Sequence, residues 1–334
     1  MKNTQRLLEI IEKFPRRRIT VWGDFILDEY QYGDTRRISR EAPVLILSYQ
    51  ESRFSLGGAG NSLLNLKSLG AEPQPLGVTG EDEAGNRVRE LMEIKGIPTN
   101  TLFSTQGFRT PSKIRVLAGE HGTRKQQILR IDKEEKVPGN QEIKSQLKKA
   151  LKRAADESDA LIISDYNYMA VREDLYKEIF PAFQKKQIPI SLDSRFRLLR
   201  FPKPTVCTPN EPEAADALHI QTVSEGAELE TTGSLLLQKT GARSVLLTLG
   251  CRGMTLFEKN HPSLHIPIFG STDIVDVTGA GDTVISVFTL ALTSGADHAE
   301  AALLANYAGG LAVMKKGTAV ISTGELKEAV SSQA

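Results

Sequence analysis

Short apolar runs at 19–24, 76–79, 160–164, 189–193, 205–208 and 244–249 alternate with longer segments whose apolar residues recur three and four apart. A short, wholly apolar run is a strand buried on both faces, and each amphipathic helix must lay its one apolar stripe against something. In alternation the two leave few solutions. The fold class they predict is α/β, a mostly parallel sheet with helices on both faces. Helical spacing covers 5–14, 59–69, 83–95, 141–155, 172–185, 211–218, 225–240, 281–293, 298–314 and 323–331. With no internal repeat and no low-complexity linker, residues 1–334 read as a single domain.

Two regions break the alternation. Across about 29–54 the helix signals vanish and β-type stretches such as Val44-Leu-Ile-Leu-Ser-Tyr49 take over. Within about 109–132, Lys113-Ile-Arg-Val-Leu117 and Gln127-Ile-Leu-Arg-Ile131 flank the polar turn 119–125. Two hairpin-like insertions predict a small β-sheet standing off the main one. Side chains repeat every two residues in a strand, so Lys113 and Arg115 share a face. With Arg130 they are candidates for gripping an anionic group, although the same charges would also protect an open sheet edge.

Charge excludes some partners. Lys and Arg total 42 against 41 acidic residues, a balance that gives no general attraction for nucleic acid or a membrane surface. No apolar run approaches the ~20 residues of a membrane span, and no apolar core follows the first residues as in a secretory signal. Cys207 and Cys251 match no metal spacing and read as reduced thiols, so the expectation is a cytoplasmic protein whose only metal arrives with a ligand.

The chemistry concentrates in Asp273-Ile-Val-Asp-Val-Thr-Gly-Ala-Gly-Asp-Thr-Val-Ile285. Thr278-Gly279-Ala280-Gly281-Asp282 reads as a tight turn opening a buried helix, where unpaired backbone N–H groups and the helix dipole favour an anion such as phosphate. Asp282 in that turn could accept the proton of an attacking hydroxyl. Tight packing and dipole compensation are the competing explanation. Gly23-Asp24-Phe-Ile-Leu-Asp28 follows the first strand, where α/β sheets gather ligands; Asp24 and Asp28 could each hold a sugar hydroxyl, or cap a turn. Leu56-Gly57-Gly58-Ala-Gly-Asn61 lets backbone approach a ligand, and Asn61 offers both donor and acceptor. It is neither a Walker A loop nor a dinucleotide fingerprint. Asn210 and Glu213 could hold a hydrated Mg²⁺ beside phosphate oxygens, or form a capping box. Thr248-Leu-Gly250-Cys-Arg-Gly253 could line a nucleotide.

Together these segments resemble the ribokinase-type (PfkB) sugar kinases along nearly the whole chain. Arg36-Arg-Ile-Ser-Arg-Glu-Ala-Pro-Val44 is most similar to the heptose 7-phosphate kinase subgroup, as are Gln126-Gln-Ile-Leu-Arg-Ile-Asp132, Ile163-Ser-Asp-Tyr166 and Lys316-Gly-Thr318. The resemblance implies a ribokinase-like fold with a β-lid that pairs two subunits. It implies phosphorylation of D-glycero-D-manno-heptose 7-phosphate at the anomeric O1, in the route to ADP-heptose and lipopolysaccharide, with ATP and Mg²⁺ and a monovalent cation as an optional third requirement. Asp282 would take the proton, and the amides of Gly279, Ala280 and Gly281 would form the anion hole. Asp28, Gly57, Gly58 and Asn61 would grip the sugar, and Lys113, Arg115 and Arg130 its distal phosphate. Asn210, Glu213, Thr248, Gly250, Gly253 and Thr278 would line the nucleotide, Glu213 reaching Mg²⁺ through water. Departures from the subgroup stand at Asn167-Tyr168-Met169, Arg40 and Asp193-Ser-Arg195, where Asp-Pro-Lys is common. With no His-x-Gly-His segment of a nucleotidyltransferase, adenylylation would fall to a separate protein. The rivals are another sugar, sugar phosphate or nucleoside as acceptor, and a non-catalytic sugar-binding regulator on the same fold.

Overall fold

A computed structural model describes residues 2–120, 122–123, 125–223, 225–270, 275–315, 317 and 319–332. Helix α1 (Lys2–Ile11) leads into β1 (Arg18–Gly23). The chain then leaves as a long hairpin, β2 (Phe25–Ile38) and β3 (Leu45–Gly58), and returns through α2 (Ala59–Ser68), β4 (Glu72–Gly80), α3 (Glu83–Ile94) and β5 (Leu102–Thr105). A second hairpin, β6 (Ser112–Gly119) and β7 (Gln126–Lys133), precedes α4 (Gln141–Glu157). Alternation resumes with β8 (Ala160–Asp165), α5 (Glu173–Lys185), β9 (Ile190–Ser194), β10 (Val206–Cys207), α6 (Glu211–Leu218), α7 (Ala227–Thr240) and β11 (Ser244–Thr248). Strands β12 (Met254–Glu258) and β13 (Leu264–Ile266), then α8 (Ala280–Thr293), α9 (His298–Val313) and α10 (Thr323–Ser331), complete it.

The main sheet has nine strands in the order β13-β12-β11-β10-β9-β8-β1-β4-β5, parallel except at the β12 and β13 edge. Alternation along each strand sorts side chains into two cores. Ile19 and Val21 of β1 and Ile162 of β8 pack with α2, α8 and α9, whereas Trp22, Leu161 and Ile163 face α4, α5 and α7. Helices therefore cover both faces, as the apolar runs predict.

The two insertions meet in a separate four-stranded sheet, β3-β2-β6-β7, with β2 and β6 parallel. The first hairpin is longer than expected. It starts two residues after β1, so Asp28, Gly57 and Gly58 lie in strands at its base rather than in loops. The sequence reading did not separate out β5, β12 and β13, which are short or lie at an edge.

Candidate active site

The carboxyl ends of β8, β9 and β11, the base of the small sheet and the start of α8 enclose a cleft of about 600 Å³. Gly279 sits before α8 with φ 80°, a left-handed conformation that glycine adopts at little cost. The turn is braced by Asp276, whose carboxylate accepts the amides of Thr278 and Gly317, each at 2.9 Å. The amides of Gly279 and Gly281 have no acceptor among the described residues, while that of Ala280 donates to the Val277 carbonyl at 3.2 Å. Two of the three expected donors therefore point into the positive end of α8 unused.

Asp282, in the first turn of α8, lines the cleft yet is only 4% exposed. Its Oδ2 accepts Asn61 Nδ2 at 2.9 Å, and its Oδ1 accepts Ser62 Oγ and the Tyr166 hydroxyl, both at 3.4 Å. Burial pushes its pKa up to about 7, with the Asn61 and Tyr166 hydrogen bonds pulling the other way. A carboxylate with a pKa near neutrality is suited to general base work. Asn61 also donates to the Gly279 carbonyl at 3.3 Å, which links α2 to the turn.

On the small sheet the register aligns Asp28, Lys113 and Asp132 in one row and Tyr30, Arg115 and Arg130 in the next. Arg115 Nη1 donates to Asp28 Oδ1 at 2.5 Å and stacks over the Tyr30 ring. A Cβ at Gly57 would collide with the Asp28 carboxylate, and one at Gly58 (φ 56°) with the Asp24 carbonyl. Arg130 lies outside the main cleft, beside an adjoining cavity of about 450 Å³, and is paired with Asp132 at 2.8 Å. Lys113 lines the main cleft with its ammonium 5.6 Å from the centre of the Tyr166 ring.

Asn210 and Glu213 do form the capping box of α6, with reciprocal hydrogen bonds of 2.9 and 3.0 Å, and both also line the cleft. Burial raises the pKa of Glu213, and that of neighbouring Asp193 is raised by burial and then by Glu213 and Asp282. Thr248, Gly250, Gly253 and Thr278 line the same cleft, next to the apolar side chains of Met254, Ile268, Val277 and Val313. Asp24 is the exception. It is buried behind the cleft and accepts the amides of Tyr166, Tyr168 and Ala170 at 2.8–3.0 Å, so it caps a turn. That loop passes through positive φ at Asn167 and Met169, two of the positions that depart from the subgroup.

Sequence reasoning assigned no site role to Ser62, Tyr166, Asp193 or Arg195, which reach the cleft or its base from α2 and the ends of β8 and β9. The signals for Tyr166 were its place after a strand and its membership of the segment Ile163-Ser-Asp-Tyr166 that carries the resemblance. Asp273, Ile274, Lys316 and Thr318, and His121 and Arg124 of the 119–125 turn, lie outside the described residues.

A model of the pfkB family of carbohydrate kinases matches residues 16–323. The bifunctional protein HldE of Caulobacter vibrioides is 34% identical over 327 residues, an alignment that takes in 98% of this chain and 66% of that protein. The chain thus spans just under two thirds of that relative's length. Escherichia coli phosphofructokinase-2 in complex with substrates and products has a TM-score of 0.74, and Arabidopsis thaliana ribokinase complexed with ribose and ATP one of 0.69. Each is 18% identical, and each comparison covers 95% of this chain and 99% of the other. These structures show the fold to be ribokinase-like. Given a match over most of its length, the chain belongs to the pfkB family of carbohydrate kinases, phosphotransferases whose acceptor is a sugar hydroxyl.

Proposed function

We propose that this chain transfers a phosphoryl group from ATP to the anomeric O1 of D-glycero-D-manno-heptose 7-phosphate, giving the 1,7-bisphosphate used for ADP-heptose and lipopolysaccharide. The observation that carries the chemistry is Asp282, buried at the start of α8 with its pKa near 7. The choice of heptose rests on the segment 36–44 and its companions in the sequence.

The cleft fits a nucleotide. Unpaired amides at Gly279 and Gly281 suit phosphate oxygens, and the apolar wall near Ile268 and Val313 suits a base. Glu213, with Asp193 beside it, suits a hydrated Mg²⁺, because a cation would relieve two half-buried carboxylates whose protons are held to higher pH. Among the described residues no group of three or more His, Cys, Asp or Glu could hold a metal by itself. When bound, ATP with Mg²⁺ supplies the transferable phosphoryl group and offsets part of its charge.

Asp282 accepts the proton of the attacking hydroxyl, and Asn61 holds its carboxylate in line. The amides at the start of α8 stabilise the negative charge that develops, at about 3 kcal/mol per well-placed donor. Asp28, steadied by Arg115, accepts hydrogen bonds from the sugar. The small sheet acts as a lid of the same unit and excludes water that would compete as acceptor. Its reverse face carries Leu129 and Ile131, 54% and 46% exposed, which supports a second copy packing there.

Asp282→Asn tests the base: kcat falls about 10²–10⁴-fold while affinity for sugar and ATP changes little, and unchanged turnover would refute the role. Coupled ADP detection across a substrate panel, with ³¹P NMR of the product, tests the acceptor; omitting K⁺ from the assay tests the monovalent-cation requirement. The second reading, another sugar phosphate, is favoured by the cations of the cleft, which call for an anion without choosing its carbon skeleton.

A further inference from the structure

The two oxygens of the Asp282 carboxylate keep different company. Oδ2 accepts Asn61 Nδ2 at 2.9 Å, and the same nitrogen donates to the Gly279 carbonyl at 3.3 Å. Turning that amide over would set its oxygen against a carbonyl and a carboxylate. The group facing Oδ2 is therefore an NH₂, which donates and never accepts. Oδ1 instead faces two hydroxyls, Ser62 Oγ and Tyr166 Oη, each at 3.4 Å. A hydroxyl donates to a carboxylate and can turn to accept from a carboxylic acid. Only Oδ1 can gain a proton without meeting a second hydrogen head-on. Of its two neighbours Ser62 is wholly buried in α2, whereas Tyr166 lines the cleft.

The fold holds Tyr166 firmly. It opens the loop after β8 whose amides Asp24 gathers. Asp165, buried at the end of β8, accepts the Asn167 amide at 3.0 Å and is itself held by Ser194 Oγ at 2.6 Å and by the Arg197 guanidinium. Asn167 (φ 67°) and Met169 (φ 72°) stand in the left-handed region, a cost that persists only where the surroundings impose it. Tyr168 ties the loop to the root of the small sheet: its hydroxyl donates to Glu134, and its carbonyl accepts the Val137 amide at 2.7 Å. Yet of residues 166–170 only Tyr166 lines the main cleft. Burial pushes its phenol well above the ordinary range, and the charges of Asp282 and Asp193 push it further, so it stays a donor.

We propose that Tyr166 is a positioning residue: its hydroxyl donates to Oδ1 of ionised Asp282 and turns to accept from Oδ1 once that oxygen has taken the proton of the sugar hydroxyl, so that Oδ1 and not Oδ2 is the basic oxygen. The sugar O–H bond breaks and an Oδ1–H bond forms. The sugar oxygen keeps the electron pair and makes the new P–O bond as the bond to ADP breaks, and the phenol retains its own proton. The proposal rests on Asp282 as the base and is independent of which sugar is the acceptor.

Tyr166→Phe tests it in the full chain, with the best acceptor of the substrate panel. The variant keeps the ring on which Lys113 rests and loses only the hydroxyl. Its kcat falls about 10-fold or more, while KM for sugar and for ATP is unchanged. The inflection of kcat moves to higher pH, because the lost hydrogen bond favoured the ionised form. Asp28 and Asp193, the other charged groups that act on Asp282 or feel its charge, remain in place. Tyr168→Phe removes a hydroxyl from the same loop away from Asp282 and leaves kcat and the inflection as in the wild type. Infrared difference spectra between acid and alkaline pH give a reading without turnover: the protonated-carboxyl band that Asp282→Asn abolishes shifts in Tyr166→Phe. Thermal melts check that each variant folds. Wild-type kcat and inflection in folded Tyr166→Phe overturn the proposal, as does a loss confined to KM or an unmoved infrared band. An equal loss in Tyr168→Phe also overturns it, by laying the effect on the loop. Full turnover in Asp282→Asn sinks the base and the positioning role together, whereas its collapse beside an unimpaired Tyr166→Phe sinks the positioning role alone.

Discussion

A carboxyl group sealed from water keeps its proton to higher pH, and in the proposed mechanism Asp282 turns that penalty to use. Only the ionised form can take a proton, so kcat should climb as pH rises through about 7 and level off above it. The Asn61 hydrogen bond favours the ionised form, so Asn61→Ala should move the inflection to higher pH; a kcat profile from pH 5.5 to 9 reads both. The same shift acts on stability. Folded Asp282 holds its proton to about 7, whereas an unfolded aspartate releases it near 3.9, so folded stability declines as pH rises between those values. Asp282→Asn should therefore raise the melting temperature at pH 8, by up to about 4 kcal/mol of stability, and by much less at pH 5. Asp282 was legible as a candidate because the Gly-Ala-Gly-Asp spacing is local. The donors Ser62 and Tyr166 were not, since α2 and β8 bring them from remote parts of the chain. Nor does sequence reveal that Arg115 is already paired with Asp28, because the register between β2 and β6 decides it, whereas Arg130 pairs within its own strand with Asp132 two residues on.

At the scale of elements, the hairpin base is the demanding part. Gly58 has φ 56° and no room for a side chain beside the Asp24 carbonyl, so Gly58→Ala should cost on the order of 1–3 kcal/mol, read as a lower melting temperature. Gly57→Ala presses on the Asp28 carboxylate instead, and should raise KM for the sugar more than it lowers stability. Strands buried on both faces, such as β8, were visible as apolar runs. Strand β2 was hidden because it mixes Asp28, Glu29, Tyr30 and Gln31, with Asp28 and Tyr30 on one face of the small sheet and Glu29 and Gln31 on the other. Strands β12 and β13 escaped for another reason: an antiparallel edge beside a parallel sheet follows a turn at Gly253 rather than the strand–helix rhythm.

Across the whole molecule, one buried contact pins α9 to the main sheet. Ser244 Oγ of β11 lies 2.6 Å from Nδ1 of His298, whose ring meets Phe288 edge-on. Burial holds the His298 pKa below the ordinary 6.5, against the pull of Glu258. The unfolded chain therefore takes up the proton first, and stability should drop as pH falls below about 6.5. His298→Gln should flatten that dependence in thermal melts at pH 7.5 and 5.5. Assembly is a second property of this scale. If a second copy covers the reverse face of the lid, Leu129→Asp with Ile131→Asp should shift sedimentation from dimer to monomer.

The three amides gathered by Asp24 have a practical outcome for anyone scanning this enzyme by mutagenesis. Replacing Asp24 with alanine would unmoor the backbone that presents Tyr166, and through it the surroundings of both Asp282 and Lys113. Such a variant would lose turnover as if a reacting group had gone, although the carboxylate lies behind the cleft wall. Protease susceptibility around Asn167 would tell the anchor apart from the chemistry it supports.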